Sequence, residues 1–131
     1  MSNREVEDLA VELVLAREGQ AGRSATDVRG KHALVDIEGD LLIEVKAFSG
    51  SVRGSDLWLE TRQVRAALDN PERFHLVIVD NVATGDPHVR DISGPTLTAL
   101  LARRREKRYF ELPLPTSTYD SLSSEEPAGQ S

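Results

Sequence analysis

The chain contains no cysteine and no long run of apolar residues. The lack of cysteine excludes a disulfide framework and any metal site built on thiolates. The uninterrupted run of about 18 apolar residues that a membrane-spanning helix needs does not occur. The first residues also lack the pattern of a secretory signal peptide. We therefore expect a cytoplasmic protein that does not associate with membranes.

Aromatic residues make up only 5% of the sequence, and the net charge is −6. The acidic balance argues against a large non-specific nucleic-acid surface, which is usually basic. It does not exclude a nuclease, because metal-binding carboxylates add negative charge and a local basic patch can still contact phosphates. With 131 residues, of which 39% are hydrophobic, the chain is expected to form one globular domain.

Hydrophobic periodicity predicts the order of helices and strands. Helices are expected at residues 5–18, from an N-cap at Thr61 to about residue 68, and from Pro95 to about residue 105. Strands are expected at residues 33–37, 41–48, 74–79, 89–92 and 109–114, and residues 23–30 form a loop or a short edge strand. This order predicts an α/β (α+β) sandwich with a mixed central sheet over residues 1–114. Residues 115–131 are rich in Ser, Thr, Pro, Glu and Gly and are expected to be a flexible tail.

The most informative stretch is the hairpin at residues 35–46. Side chains i and i+2 of a strand share a face, so Glu44 and Lys46 project together. With Asp36 on the neighbouring strand, this pair could hold a divalent metal and a water next to a phosphate. A two-residue turn at Gly39-Asp40 would put Asp36 on the wrong face, whereas a three-residue loop at 38–40, or a bulge, would bring it diagonally to Glu44. Taken alone, Glu-x-Lys is also typical of an ordinary exposed strand face.

The chemistry of such a site is direct. Asp36 and Glu44 would ligate Mg²⁺ or Mn²⁺, with the backbone carbonyl of Val45 as a further ligand. The metal would polarise the scissile phosphate and activate a water. Lys46 would orient that water or stabilise the charge that develops on the phosphate.

Basic residues outside the hairpin are weaker candidates for contact with nucleic acid. Arg53 lies in a loop rich in Gly and Ser. Arg103 and Arg104 begin the basic run of the sequence, which could follow phosphates. The same run is also expected at the C-terminal end of a helix, where cations interact favourably with the dipole.

The order of these segments resembles the NO VEIN C-terminal domain, a branch of the PD-(D/E)XK phosphodiesterase superfamily. The similarity rests on Glu18 through Gly22-Arg23, on Asp36-Ile37, on Ile43 to Lys46, on residues 57–63 and on the apolar strand at 74–79. The proline that contributes to the superfamily's name is absent, and Val35 precedes Asp36.

The resemblance implies a restriction-endonuclease-like fold and a metal-dependent nuclease that hydrolyses DNA, in defence, restriction or repair. It implies a metal-site glutamate on the first helix, for which Glu12 is the first candidate and Glu18 the second, because the helix phase is open. Gln63 matches a Glu/Gln position of the second helix and would contact a metal-bound water or the phosphate backbone. The alternative is a non-catalytic module that binds nucleic acid or a protein partner. A homodimer is a further expectation, since a small domain often needs a partner to grip duplex DNA.

Overall fold

The structure, a computed structural model, describes residues 1–125 and residue 128. Its helices are α1 (Asn3–Gln20), α2 (Thr61–Asp69), α3 (Gly94–Ala102) and α4 (Thr116–Ser121), and a 3₁₀ turn spans Val82–Thr84. Its strands are β1 (Ala25–Asp27), β2 (Ile37–Gly39), β3 (Leu42–Ala47), β4 (Phe74–Asp80) and β5 (His88–Ile92). The strands form one sheet in sequence order, in which β3 and β4 are parallel and the other neighbours antiparallel. The predicted α/β fold with a mixed, helix-flanked sheet is confirmed.

Helices cover both faces of the sheet. Apolar side chains of α1 pack on one face against the inward residues of β2, β3 and β4: Val6, Ala10, Val11 and Val14 meet Ile37, Ile43, Val45, Val77 and Val79. On the other face, α2 and α3 pack through Ala66, Ala67, Leu97 and Leu101 onto Phe74 and Leu76. The strand β4 is thus buried between the two layers, as its nearly continuous apolar sequence predicts. Among the described helices, none is both long enough and apolar enough to cross a membrane.

The first helix begins two residues earlier than predicted because of a capping box. The Ser2 hydroxyl accepts a hydrogen bond from the Glu5 N–H at 3.1 Å, and the Glu5 carboxylate accepts one from the Ser2 N–H at 3.2 Å. These reciprocal bonds satisfy two backbone donors at the helix start. Farther along α1, Glu7 and Asp8 lie close to Arg29, which follows β1.

The hairpin between β2 and β3 sets the position of Asp36. Ile37 pairs with Ile43 and Glu38 with Leu42, so the loop consists of the three residues 39–41. The odd number of loop residues is confirmed, but the predicted loop at 38–40 is wrong by one position. The reason is that Gly39 also pairs with β1 and so remains within β2. Asp36 directly precedes this pairing, and its N–H donates to the Ile43 carbonyl at 3.1 Å, which places Asp36 beside Glu44.

Four other sequence predictions need correction. The N-cap of α2 is Glu60 rather than Thr61, which is the first helical residue. The strand predicted at 33–37 begins only at Ile37, and α3 ends at Ala102 rather than near residue 105. Residues 109–114 are irregular rather than a strand. Their alternating pattern lacks a partner strand, and Pro113 cannot donate a ladder hydrogen bond. Of the predicted flexible tail, residues 126, 127 and 129–131 lie outside the described residues.

We expect Gly39→Ala to lower the free energy of unfolding by about 1–3 kcal/mol. A Cβ at Gly39 would lie 1.9 Å from the carbonyl oxygen of Ser24, so the backbone before β1 would have to move. Urea denaturation followed by circular dichroism measures the effect. Gly19→Ala is the matched control, because a Cβ there meets nothing within 4 Å and the helix should gain up to about 1 kcal/mol. Equal stabilities of the two variants would contradict the close approach of β1 and β2.

Candidate functional site

Four predicted catalytic residues, Asp36, Glu44, Lys46 and Gln63, lie together at the end of the sheet where β2 begins. Glu44 is at the centre of the cluster. Its Oε2 accepts a hydrogen bond from Gln63 Nε2 at 2.7 Å and lies 3.2 Å from Lys46 Nζ. The Oδ2 atom of Asp36 accepts a hydrogen bond from the Val45 N–H at 2.9 Å. The structure therefore brings together side chains from the start of β2, from β3 and from α2.

Each element fixes its side chain for a local reason. Glu44 and Lys46 alternate along β3 with Ile43 and Val45, which are held in the core beneath α1. Gln63 lies in the first turn of α2, and its Oε1 accepts a hydrogen bond from the Glu60 N–H at 3.0 Å. The Gln63 amide is therefore held at both ends, since its oxygen caps the helix and its nitrogen donates to Glu44.

Burial and a nearby carboxylate set the charge of Glu44. The residue is only 3% exposed. Burial, followed by repulsion from Asp36, raises the pKa of Glu44 to about 7, although Lys46 acts in the opposite direction. The second oxygen, Oε1, is buried without a hydrogen-bond partner among the described residues. Such an orphaned oxygen costs free energy, which a proton, a water or a cation would recover.

The donor atoms at this point suit a hard divalent cation. Asp36 and Glu44 offer carboxylate oxygens. The carbonyl of Val45 points toward the Asp36 side of β3, because the C=O and N–H of one strand residue point to the same edge. No group of three or more His, Cys, Asp or Glu side chains in the described part of the chain is arranged to hold a metal. Two carboxylates and a carbonyl are nevertheless enough for Mg²⁺, which usually keeps several waters.

A cavity of about 350 Å³ opens beside the cluster. Its charged and polar lining residues are Glu7, Arg29, His32, Asp36, Glu44, Arg62 and Gln63. Four of these, Glu7, Arg29, His32 and Arg62, were not among the residues that the sequence analysis selected. The cavity gives the orphaned carboxylate a route to solvent and to a ligand.

Neither glutamate that the sequence analysis considered on the first helix lines this cavity. Glu12 is exposed on α1. Glu18 is buried, and its two oxygens accept hydrogen bonds from Arg23 Nε at 2.9 Å and Nη2 at 2.6 Å. These bonds hold the pKa of Glu18 below its usual range. The α1 residue at the cavity is Glu7. Five positions separate it from Glu12, about 7.5 Å along the helix axis, so the two cannot substitute for one another.

Arg29 holds the loop after β1 against α1. Its Nη2 donates to Asp27 at 2.8 Å, and its Nη1 donates to Asp8 at 3.0 Å and to Glu7 at 3.2 Å. The positive charge of this guanidinium therefore compensates the negative charge of Glu7 in the cavity wall. This role of Arg29 could not be predicted from the sequence, because the three acids come together only when α1 and β1 are packed.

The three predicted nucleic-acid contacts lie away from the cavity lining. Arg53 is exposed in the loop after β3, which is fixed by a 3.1 Å hydrogen bond from the Val52 N–H to Asp80 Oδ2. Arg103 caps the C-terminal end of α3, and Arg104 Nη1 donates to the Leu101 carbonyl at 2.8 Å. Their contact with nucleic acid stays a prediction.

Comparison with known proteins gives one family match. A family model described as "Protein NO VEIN, C-terminal" matches residues 6–92, about two thirds of the chain. The matched segment runs from α1 to β5 and includes every residue of the cluster around Glu44. No significant match was found among curated proteins or among solved structures.

We expect Glu44→Gln to be more stable than the wild type at pH 8, with little difference near pH 4.5. The pKa of Glu44 rises from 4.5 to about 7 in the folded protein, so the folded state keeps a proton that the unfolded state has lost between these values. The stability of the wild type should therefore fall as the pH rises through this window. The difference between the two proteins should approach about 3 kcal/mol above the window.

Urea unfolding of both proteins across the pH range measures this difference. Glu12→Gln is the control, because it removes the same charge at an exposed position of α1. A constant difference between wild type and Glu44→Gln at every pH would show that Glu44 does not titrate near neutrality.

Proposed function

The chain belongs to the NO VEIN C-terminal family, and we propose that it is a metal-dependent nuclease that hydrolyses DNA phosphodiester bonds. The observation that carries the proposal is the buried Glu44 carboxylate, which lies beside a cavity together with Asp36 and Gln63 and has one oxygen with no hydrogen-bond partner among the described residues. We propose further that the family shares the PD-(D/E)XK mode of catalysis. Defence, restriction and repair are the settings in which such an activity would serve.

Asp36, Glu44 and the carbonyl of Val45 would hold one Mg²⁺ or Mn²⁺. When bound, such an ion polarises the scissile phosphate and lowers the pKa of a water. The Lys46 ammonium would donate a hydrogen bond to a phosphate oxygen as negative charge develops there. Gln63 would keep Glu44 oriented toward the cavity through the 2.7 Å hydrogen bond that it donates.

The raised pKa of Glu44 gives the proposed activity a pH dependence. Carboxylates must be ionised to bind a metal. Because the pKa of Glu44 is about 7, affinity for the metal should rise as the pH increases through neutrality. The repulsion between Glu44 and Asp36 that raises this pKa is also the interaction that a bound cation would relieve.

A non-catalytic module that binds nucleic acid or a protein is the second candidate. The net charge of −6 favours it, since an acidic chain attracts nucleic acid poorly. The burial of the ion pair argues for the enzyme instead. The Glu44 side chain is 4% exposed and that of Lys46 is 22% exposed, which is far from an ordinary surface pair.

We expect the wild type to cleave single- or double-stranded DNA with Mg²⁺ or Mn²⁺, and EDTA to abolish the reaction. Lys46→Ala should lower the rate at least about 100-fold, because it removes a cation that stabilises the developing charge. Lys31→Ala is the matched control, since Lys31 is an exposed cation outside the cluster. Equal cleavage by wild type and Lys46→Ala would remove Lys46 from the mechanism. A protein that binds the metal but cleaves neither DNA nor RNA would favour the module.

We expect Mn²⁺ to raise the melting temperature of the wild type in a concentration-dependent manner and to have no such effect on Asp36→Asn. If Glu7 supports the metal from α1, Glu7→Gln should weaken the apparent affinity by about tenfold or more. Glu12→Gln makes the same change on the same helix and should behave as the wild type. If instead Glu12→Gln weakened the apparent affinity for Mn²⁺ and Glu7→Gln did not, the helix carboxylate at the metal would be Glu12.

A further inference from the structure

Most of the few aromatic side chains lie at the surface of this protein. The chain has six aromatic residues, and the exposed ones are Trp58 at 64%, Tyr109 at 78%, Phe110 at 93% and Tyr119 at 66%. Large aromatic rings normally supply much of a small core. Here that role falls to aliphatic residues and Phe74, so the exposed rings need another explanation.

A strongly basic segment directly precedes two of these rings. Residues 103–108 hold five cationic residues and one glutamate, a net charge of +4 in a chain whose total is −6, which leaves −10 for the rest. The side chains of Arg105 and Arg108 are 73% and 88% exposed. A cationic segment in an acidic protein is therefore followed at once by Tyr109 and Phe110.

An ion pair connects this segment to the loop that carries Trp58. Arg105 Nη2 lies 3.7 Å from Asp56 Oδ2, two residues before Trp58. The same loop leads into α2, where Arg62 and Gln63 line the cavity. An exposed pair of this kind contributes little to stability, so Arg105 can exchange Asp56 for a phosphate at low cost.

Exposed rings beside cations match the chemistry of single-stranded nucleic acid. Phosphates bind the cations, and unpaired bases stack on the rings without regard to sequence. A duplex keeps its bases stacked on one another and offers no such faces. We propose that Trp58, Arg105, Tyr109 and Phe110 form a binding surface for single-stranded nucleic acid. The proposed binding does not depend on the proposed nuclease function. Only cleavage of the bound strand rests on that function.

The intrinsic fluorescence of Trp58 tests this proposal directly, because the chain contains only one tryptophan. Oligothymidylate is titrated into the wild type at low salt in EDTA, so that cleavage cannot occur. We expect saturable quenching and an affinity that falls as salt is added. A duplex of the same length should quench weakly. Anisotropy of a labelled oligothymidylate measures binding by variants that lack the tryptophan.

Substitutions within the surface should weaken binding in distinguishable ways. Trp58→Ala and the double variant Tyr109→Ala/Phe110→Ala should each bind at least about fivefold more weakly. Arg105→Ala should reduce the slope of log K against log salt by about 0.7. The controls are Leu68→Ala and Arg4→Ala, which change an exposed apolar residue and an exposed cation elsewhere and should bind as the wild type does.

Unchanged binding by all three surface variants would overturn the proposal, and so would a preference for duplex. It would also fail if the exposed segment served self-association. Concentration-dependent sedimentation that the Tyr109→Ala/Phe110→Ala variant abolishes, without oligonucleotide binding, would show this. A wild type that binds single strands in EDTA but cleaves nothing with either Mg²⁺ or Mn²⁺ would uphold the binding surface and refute the nuclease.

Discussion

The alternation of side chains along β3 is the constraint on which this molecule depends. The strand lies inside the sheet, and helices pack on both faces of that sheet. Ile43 and Val45 enter the core beneath α1, which forces Glu44 to the other face, where it is almost fully buried. A carboxylate in that position must be compensated, and Lys46 and Gln63 compensate only one of its two oxygens. The packing that stabilises the fold therefore also creates the unsatisfied group at the cavity.

Two buried glutamates show how different surroundings give the same chemical group two different roles. Glu18 is bound on both oxygens by Arg23, which holds its pKa low and closes the end of α1. Glu44 has a carboxylate neighbour and, within the described part of the chain, an oxygen without a hydrogen-bond partner, and its pKa is raised to about 7. When their environments shift the pKa values of two carboxyl groups in opposite directions, a site that binds a ligand or exchanges a proton is expected. Glu18, which matches the family pattern, is thus a residue that holds the structure together.

The sequence alone was enough to predict those parts of the fold and of the site that depend on hydrophobic periodicity. Alternation placed Glu44 and Lys46 on one face, and the apolar run at β4 predicted a strand covered on both sides. Position along a helix was harder to predict. Glu7 lies in the cavity wall, where Arg29 donates a hydrogen bond to its carboxylate, and this contact depends on tertiary packing. The hairpin loop lies one residue later than predicted for the same reason, since pairing with β1 keeps Gly39 in β2. The strand predicted at 109–114 from its alternating residues was wrong, because an alternating segment forms a strand only beside a partner strand and none of the described strands pairs with it.

The parallel pairing of β3 with β4 requires a crossover, and α2 lies in that crossover. Gln63 reaches Glu44 because Ala66 and Ala67 anchor the helix to the sheet, whatever the length of the loop before it. Insertions or deletions in that loop would move Trp58 while leaving Glu44 and its partners in place. Related chains could in this way change which ligands they bind without altering the reactive carboxylate. Binding specificity and catalytic chemistry could then evolve separately.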